Sequence, residues 1–215
     1  TQYIFGIVEP YIFNKNAENC LFLACQTLRY PVKLVSWPYV EEYKIWFDDL
    51  CSIVSELNPE IANRVVYRCI ENEGFKTSTQ FIKKFKQARI SHINEISLLK
   101  EFKKSRLIVS TYPDTPTAEA IISNIPSVIS FSPKLYKLSD DFSEILDDLK
   151  KNKIFFESPK LASKHINEVW DNPFEWWKSQ STQSAIEKFK KFTMNIDSDW
   201  VDQWKHFLNK ASIND

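Results

Sequence analysis

Short apolar runs alternate along the chain with longer segments whose apolar residues recur at helical spacing. The short runs are rich in β-branched and aromatic residues and are bounded by polar or turn-forming residues, which predicts strands. The predicted strands are Tyr3–Val8, Val65–Cys69, Arg89–His92, Leu107–Ser110, Val128–Phe131 and Ile154–Phe156.

The longer segments predict amphipathic helices. In one of them Phe142, Ile145, Leu146 and Leu149 fall on the same side at helical spacing. The predicted helices are Ala17–Leu28, Tyr39–Leu57, Thr79–Gln87, Glu95–Lys104, Thr115–Asn124, Leu138–Lys151 and Pro159–Trp170.

Strands that alternate with helices form βαβ units, whose strands run parallel. We therefore predict an α/β fold in which residues 1–215 form a single Rossmann-like domain, with a parallel sheet of about six strands flanked by helices. The final third of the chain is rich in Trp and Phe, and it predicts an aromatic helical extension over about residues 171–215. Its helices are expected at Pro173–Lys178, Thr182–Phe192 and Asp199–Lys210, packed against the sheet or a neighbouring domain.

The amino-acid composition bears on which classes of partner the chain is expected to bind. The 215 residues include 28 basic and 28 acidic side chains, so the net charge is zero and gives no reason to expect nucleic acid as a partner. The apolar runs are too short to span a bilayer. The chain begins at Thr1, directly before a predicted strand, and we expect it to be a fragment of a two-domain protein.

Glycine and cysteine exclude several common sites. The only glycines are Gly6 and Gly74, so neither a GxGxxG dinucleotide loop nor a Walker P-loop can occur. The four cysteines are widely spaced without a CxxC motif, which indicates a reducing cytoplasm, and the apolar surroundings of Cys51 and Cys69 predict buried thiols there. Because His, Cys and carboxylates do not cluster, we expect no metal and no cofactor.

The segment from Ser105 to Phe131 predicts a strand, a polar loop, a helix and a second strand. The loop contains Ser110 and Thr111, and we expect Thr115 to be the N-cap with Pro116 at the first helical position. A strand that ends at hydroxyl groups and free helix N–H groups is a natural phosphate site. Glu119, early in the helix, is suited to bond a ligand hydroxyl.

Further loops follow the other predicted strands. Arg68 closes its strand and either faces the functional edge of the sheet or pairs with Glu71 or Glu73 in the next turn. Glu9 follows the first predicted strand. If all these strands are parallel, their trailing loops converge at one edge, and we count Glu73 with the binding residues there.

Histidine is scarce. His92 ends the third predicted strand, so it either supports the structure or lies near a ligand. His165 and His206 fall within predicted helices and are interpreted as half-buried or solvated helix residues.

These residues resemble a known family. The segments SRLIVSTYPDTPTAEAIISNIPSVISFSPKLYKL and DDLKKNKIFFESPKLASKHINEVWDNPFEWW are similar to the C-terminal half of bacterial surface-carbohydrate transferases. That family resembles GT-B glycosyltransferases and, distantly, the transferases of Kdo that use a CMP-activated sugar. The similarity extends upstream to VVYRCIENEGF, although Cys69 and Ile70 stand where the Kdo transferases carry a His-Pro pair.

The resemblance implies roles for residues of this sequence. Ser110, Thr111 and Thr115 would contact the donor's phosphate, Glu119 would bond a sugar or ribose hydroxyl, and Arg68 would lie near the donor's anionic groups. Glu9 is the candidate catalytic carboxylate.

The sequence therefore predicts the nucleotide-sugar-binding domain of a glycosyltransferase for bacterial surface polysaccharide, with a CMP-Kdo-type donor as one candidate. A missing N-terminal domain would supply the glycan acceptor site. The expected location is the cytoplasm, at the inner face of the membrane if the full-length protein associates with it. Two alternatives remain open: a non-catalytic Rossmann-like module that binds an anion or a partner, and a polyol-phosphate transferase.

Overall fold

A computed structural model describes residues 3–4, 14, 16–24, 40–69, 76–112, 114–135, 139–195 and 199–212. Within these ranges six strands form one parallel sheet, in the spatial order β4-β3-β2-β5-β6-β7. Two short strands, β1 and β8, pair parallel with each other outside that sheet. The strands are β1 (Tyr3–Ile4), β2 (Asn19–Leu23), β3 (Val65–Cys69), β4 (Arg89–His92), β5 (Ser105–Ser110), β6 (Ser127–Ser130), β7 (Phe155–Phe156) and β8 (Met194–Asn195).

Helices connect the strands and follow the last strand of the six-stranded sheet. They are α1 (Val40–Ser55), α2 (Pro59–Ala62), α3 (Thr77–Lys84), α4 (Leu98–Phe102), α5 (Thr115–Ile122), α6 (Asp140–Lys151), α7 (Pro159–Val169), α8 (Pro173–Trp177), α9 (Gln180–Thr193) and α10 (Trp200–Ser212). The predicted α/β class and Rossmann-like parallel sheet are confirmed.

Three apolar clusters hold the layers together. On one face of the sheet, side chains of α1, α3 and α7 pack on alternate strand residues such as Phe22 and Tyr67. On the other face, α4 and α5 contribute Phe102 and Ala120 to a smaller cluster with Leu21. A third cluster lies beside β6 and β7 and contains residues of α6, α8 and α9. The sheet is thus covered on both faces, as parallel sheets require.

The central strand β2 corrects the sequence prediction. A helix was predicted over Ala17–Leu28, but Asn19–Leu23 forms a strand between β3 and β5. Its residues alternate between the apolar clusters on the two faces of the sheet, and Cys20 to Leu23 are all buried. A strand buried on both faces is apolar throughout, so hydrophobic periodicity cannot distinguish it from a buried helix.

The predicted first strand is also placed differently. Only Tyr3–Ile4 of the predicted Tyr3–Val8 is described as a strand, and it pairs with β8 rather than with the main sheet. Residues 5–8 lie outside the described residues. Glu9 was expected at the edge of the six-stranded sheet because it follows a strand of that sheet, and Tyr3–Ile4 does not meet this condition; Glu9 itself lies outside the described residues.

Helix starts differ in detail from the predictions. Asp114, not Thr115, is the N-cap of α5. Pro59 begins the short α2, with Asn58 at its N-cap position. Among the described residues, no helix is both long and apolar enough to cross a membrane.

Candidate functional site

A cavity of about 470 Å³ opens at the carboxyl ends of β2, β3 and β5. Counted along the chain, the six strands of the sheet have the spatial order 3-2-1-4-5-6, which is that of Rossmann folds. Strands β2 and β5 are the neighbours at which this order reverses, and ligands of such sheets bind in the crevice at that point. The cavity therefore occupies the expected ligand position, and its volume falls within the roughly 300–1,000 Å³ of small-molecule sites.

Three of the predicted site residues line this one cavity. Arg68 comes from the end of β3, Thr115 from the start of α5, and Glu119 from one turn further along α5. Register explains how Arg68 arrives there, because it pairs with Leu23 on the central strand, which also lines the cavity. The convergence expected from the sequence is thus present for these three side chains.

Arg68 belongs to a hydrogen-bond network on the protein side of the cavity wall. Its side chain is only 8% exposed, and its Nη1 donates to Ser91 Oγ at 3.0 Å. The Ser91 hydroxyl in turn donates to Glu101 Oε1 at 3.0 Å. Glu101 is fully buried, and it accepts two parallel bonds from Arg89, at 3.1 and 2.8 Å.

The charges of this network are set by burial and by pairing. Burial lowers the pKa of Arg68, and the nearby Glu101 carboxylate opposes that effect. Burial would raise the pKa of Glu101, but the hydrogen bonds and charge of Arg89, together with the bond from Ser91, outweigh it and lower that pKa. Glu101 is therefore ionised at neutral pH, and Arg68 keeps its positive charge.

The N-terminus of α5 is already occupied by a carboxylate. Asp114 Oδ1 accepts from the Thr117 backbone N–H at 3.1 Å and from Thr117 Oγ1 at 2.9 Å. The Ala118 N–H bonds to the Asp114 carbonyl, and Pro116 has no N–H to offer. The expectation of free helix N–H groups as a phosphate cradle is thus wrong for these three positions. Thr115 itself is exposed at the cavity wall.

The α5 side of the cavity is acidic. Burial raises the pKa of Glu119, and the nearby Asp114 raises it further. Burial likewise raises the pKa of Asp114, against its bonds from Thr117. Among the described lining residues, one cationic side chain, Arg68, therefore faces two carboxylates. An anionic ligand group is favoured near Arg68, whereas Glu119 is suited to accept bonds from ligand hydroxyls.

Ser110 and Thr111 are buried beside the cavity and are not among its lining residues. Thr111 Oγ1 accepts from the indole of Trp46 at 3.0 Å and donates to the Leu23 carbonyl at 3.3 Å, so it ties α1 to the central strand. Ser110 Oγ has no hydrogen-bond partner within the described part of the chain. Neither hydroxyl is needed to explain the cavity, and their assignment as phosphate contacts stays a prediction.

The remaining predicted residues are placed as follows. His92 ends β4 as predicted, and its Nδ1 lies 3.9 Å from the sulfur of Cys69, which lines the cavity. His92 itself is half-buried and is not a lining residue. Glu9 and Glu73, together with Glu71, lie outside the described residues. In the described ranges, no group of His, Cys, Asp and Glu side chains is placed to hold a metal ion.

A protein-family model described as LIC12162 family transferase matches residues 3–208. The chain belongs to this family. No curated protein and no solved structure matches the chain. The match spans the sheet, the cavity and the helices up to α10, so the cavity residues lie within the matched region.

Three residues at or beneath the cavity were not found from the sequence. Ser91 and Glu101 position Arg68, and Asp114 caps α5 at the cavity wall. Asp114 had a readable signal, because an Asp directly before Thr-Pro is a good N-cap candidate. Ser91 and Glu101 had none, since only strand register and the docking of α4 bring them to Arg68.

Proposed function

We propose that the cavity binds the nucleotide-sugar donor of a glycosyltransferase, with the donor's phosphate at Arg68 and a pair of its hydroxyls at Glu119. The observation that carries the proposal is the meeting of Arg68, Thr115 and Glu119 in one cavity at the point where the strand order reverses. A family described as transferases is consistent with this use.

Arg68 supports the anion half of the proposal. A guanidinium at a strand end can donate two parallel bonds to a phosphate, and here it is shielded from water on the protein side. In the reaction, this charge would stabilise the phosphate as the glycosidic bond to the sugar breaks. No metal is needed for that step if Arg68 neutralises part of the developing charge.

Glu119 supports the hydroxyl half. An ionised carboxylate only accepts hydrogen bonds, and its two oxygens can bond adjacent hydroxyls of a ribose or a sugar. The second carboxylate, Asp114, makes the α5 side of the cavity unfavourable for a phosphate. The ligand would therefore lie with its hydroxyls toward α5 and its phosphate toward β3.

The charge balance bears on the donor type. With one cationic side chain against two carboxylates among the described lining residues, a leaving group with a single phosphate is favoured over a diphosphate. This agrees with a CMP-activated sugar of the Kdo type. Synthesis of bacterial surface polysaccharide, an acceptor site on a second domain and a location at the cytoplasmic face of the membrane complete the proposal.

Thermal unfolding with CMP, CDP, UDP and GDP tests the donor site. Saturation at about 100 times Kd should stabilise the protein by about 2.7 kcal/mol, and the size of the shift should depend on the base. Glu119→Gln and Thr115→Val should each weaken that shift, whereas Glu187→Gln, an exposed carboxylate on α9, should not. A wild-type protein that no nucleotide stabilises would instead favour a module that binds an anion or a partner.

Turnover tests the carboxylate proposed to act at the sugar. We expect Glu9→Gln, in the full-length protein, to reduce kcat by about two orders of magnitude or more while nucleotide affinity stays unchanged. Unchanged turnover would remove Glu9 from the mechanism and leave the donor site intact as a proposal.

A further inference from the structure

We propose that Ser91 and Glu101 are positioning residues that fix the direction of the Arg68 guanidinium toward the ligand's anionic group. The inference rests on the proposed function of the cavity. It deepens that function, because it assigns the specificity for a phosphate-bearing ligand to two residues beneath the cavity.

The hydrogen bonds from Arg68 to Ser91 and from Ser91 to Glu101 form a relay, and its direction is fixed by chemistry. An arginine has no acceptor, so its bond to Ser91 Oγ uses a serine lone pair. An ionised carboxylate has no donor, so the single Ser91 proton must go to Glu101. Glu101 therefore orients the hydroxyl, and the oriented hydroxyl holds one side of the guanidinium.

The neutral hydroxyl of Ser91 separates the charged groups of Arg68 and Glu101. Glu101 makes its direct ion pair with Arg89, through two parallel bonds. Among the described residues, Arg68 is linked to this carboxylate through the Ser91 hydroxyl rather than by a direct ion pair. The arrangement steers Arg68 without cancelling its charge in a direct ion pair, so the charge stays available to a ligand.

Ser91 and Glu101 are both held in place by the secondary structure that carries them. Ser91 is the register partner of Arg68 across the β3–β4 ladder. Glu101 is 0% exposed on α4, a helix that carries Leu98 in the cavity wall. A fully buried carboxylate is costly unless it is paired and hydrogen-bonded. Glu101 meets this requirement through two bonds from Arg89 and one from Ser91.

The decisive comparison is between a nucleotide and its own nucleoside. We suggest titration calorimetry of the protein with whichever of CMP, CDP, UDP and GDP stabilises it most, and with the matching nucleoside. Ser91→Ala should weaken nucleotide affinity about 5- to 10-fold and leave nucleoside affinity unchanged, because the lost hydrogen bond orients Arg68, which is proposed to contact only the phosphate. Ser91→Thr keeps the hydroxyl and should restore the affinity for the nucleotide.

Two further variants complete the design. Glu101→Gln should reproduce the selective loss of nucleotide affinity, and its fold is checked by far-UV circular dichroism. Ser163→Ala is the matched control, since Ser163 is a buried serine on α7 that bonds to helix carbonyls away from the cavity. It should leave both affinities unchanged.

The outcomes separate this inference from the proposal beneath it. If Arg68→Lys weakens nucleotide binding but Ser91→Ala does not, the relay is overturned while the donor site stands. An equal loss of nucleotide and nucleoside affinity in Ser91→Ala would show a merely structural role and would also overturn it. If the wild-type protein binds none of the four nucleotides, the donor site itself is overturned, and the relay with it.

Discussion

His165 is a buried imidazole without a hydrogen bond inside the described part of the chain. It is 4% exposed, and its ring packs between Phe156 and Trp176, with centroids 5.4 and 4.6 Å away. Burial, with a smaller contribution from the charge of Lys153, lowers its pKa from 6.5 to about 4 against the opposing charge of Glu168, which lies 3.9 Å from Nδ1. The interpretation of this residue as half-buried or solvated is wrong, because the neutral ring serves as part of the core.

His165 should make the protein less stable in acid. Between pH 6.5 and about 4 the unfolded chain binds a proton here that the folded chain does not, so the free energy of unfolding falls as the pH is lowered. The full effect amounts to roughly 3 kcal/mol, from about 1.4 kcal/mol per pKa unit. His165→Leu should remove this part of the slope and change stability little at pH 7, as urea unfolding from pH 4 to 7.5 would show.

A second histidine provides the control. His206 lies exposed on α10. His206→Leu makes the same substitution at the surface and is the matched control for it. A slope that His165→Leu does not reduce would mean that other groups carry the acid sensitivity.

Among the elements, α5 shows how one residue changes the chemistry of a site. The Asp114 carboxylate bonds the Thr117 N–H and hydroxyl, and it places a negative group where the sequence predicted a phosphate cradle. In the proposed site, the anionic group of the ligand lies instead at Arg68, near the end of β3. In that proposal, an N-cap shifted by one residue places the phosphate near β3 rather than at the start of α5.

The cap of α5 can be tested directly. Asp114→Ala should lower the free energy of unfolding by about 1 kcal/mol, because the Thr117 N–H loses its partner. Asp114→Asn should cost less, since it keeps an oxygen acceptor and removes a charge that burial disfavours. Thr115→Ala should change stability by only a few tenths of a kcal/mol, as expected for an exposed side chain.

These three variants are compared by chemical denaturation under one condition. A larger loss for Thr115→Ala than for Asp114→Ala would contradict the assigned cap and return Thr115 to that position.

At the scale of the whole molecule, one asparagine links the sheet layer to the C-terminal helices. Asn124 follows α5 in the left-handed conformation, with φ of 54°. Its Oδ1 accepts from the fully buried Trp177 indole at 2.8 Å and from Gln183 Nε2 at 3.4 Å. The aromatic helices α8 and α9 therefore pack as part of the sheet's own core.

Substitution of Asn124 should reveal this link. Asn124→Gly keeps the backbone conformation but strands the Trp177 N–H, which should cost about 1–2 kcal/mol. Asn124→Ala should cost about 1 kcal/mol more, because a Cβ disfavours the left-handed conformation. Tryptophan fluorescence and far-UV circular dichroism should report one shared unfolding transition in each variant. Two separate transitions would mean that α8 and α9 unfold independently of the sheet.

The sequence alone determined the alternation of strands and helices, because half-buried elements carry their period in the apolar positions. Five predicted strands, those from Val65–Cys69 onward, lie within two residues of strands in the structure. Arg68, Thr115 and Glu119 were also chosen correctly as residues of one edge, since each stands at the end of a parallel strand or the start of the next helix. Their roles as ligand contacts stay predictions.

Only the tertiary structure decided the central strand and the interior of the site. Strand β2 is buried on both faces, so its uniform apolar run carries no period that would identify it. In the sequence, Ser91 and Glu101 are ordinary polar residues. Strand register places Ser91 beside Arg68, and the packing of α4 brings Glu101 within hydrogen-bond distance of Ser91. The local pattern of apolar and polar residues indicates which side of a segment is exposed to solvent. Contacts between distant segments depend instead on which strands pair.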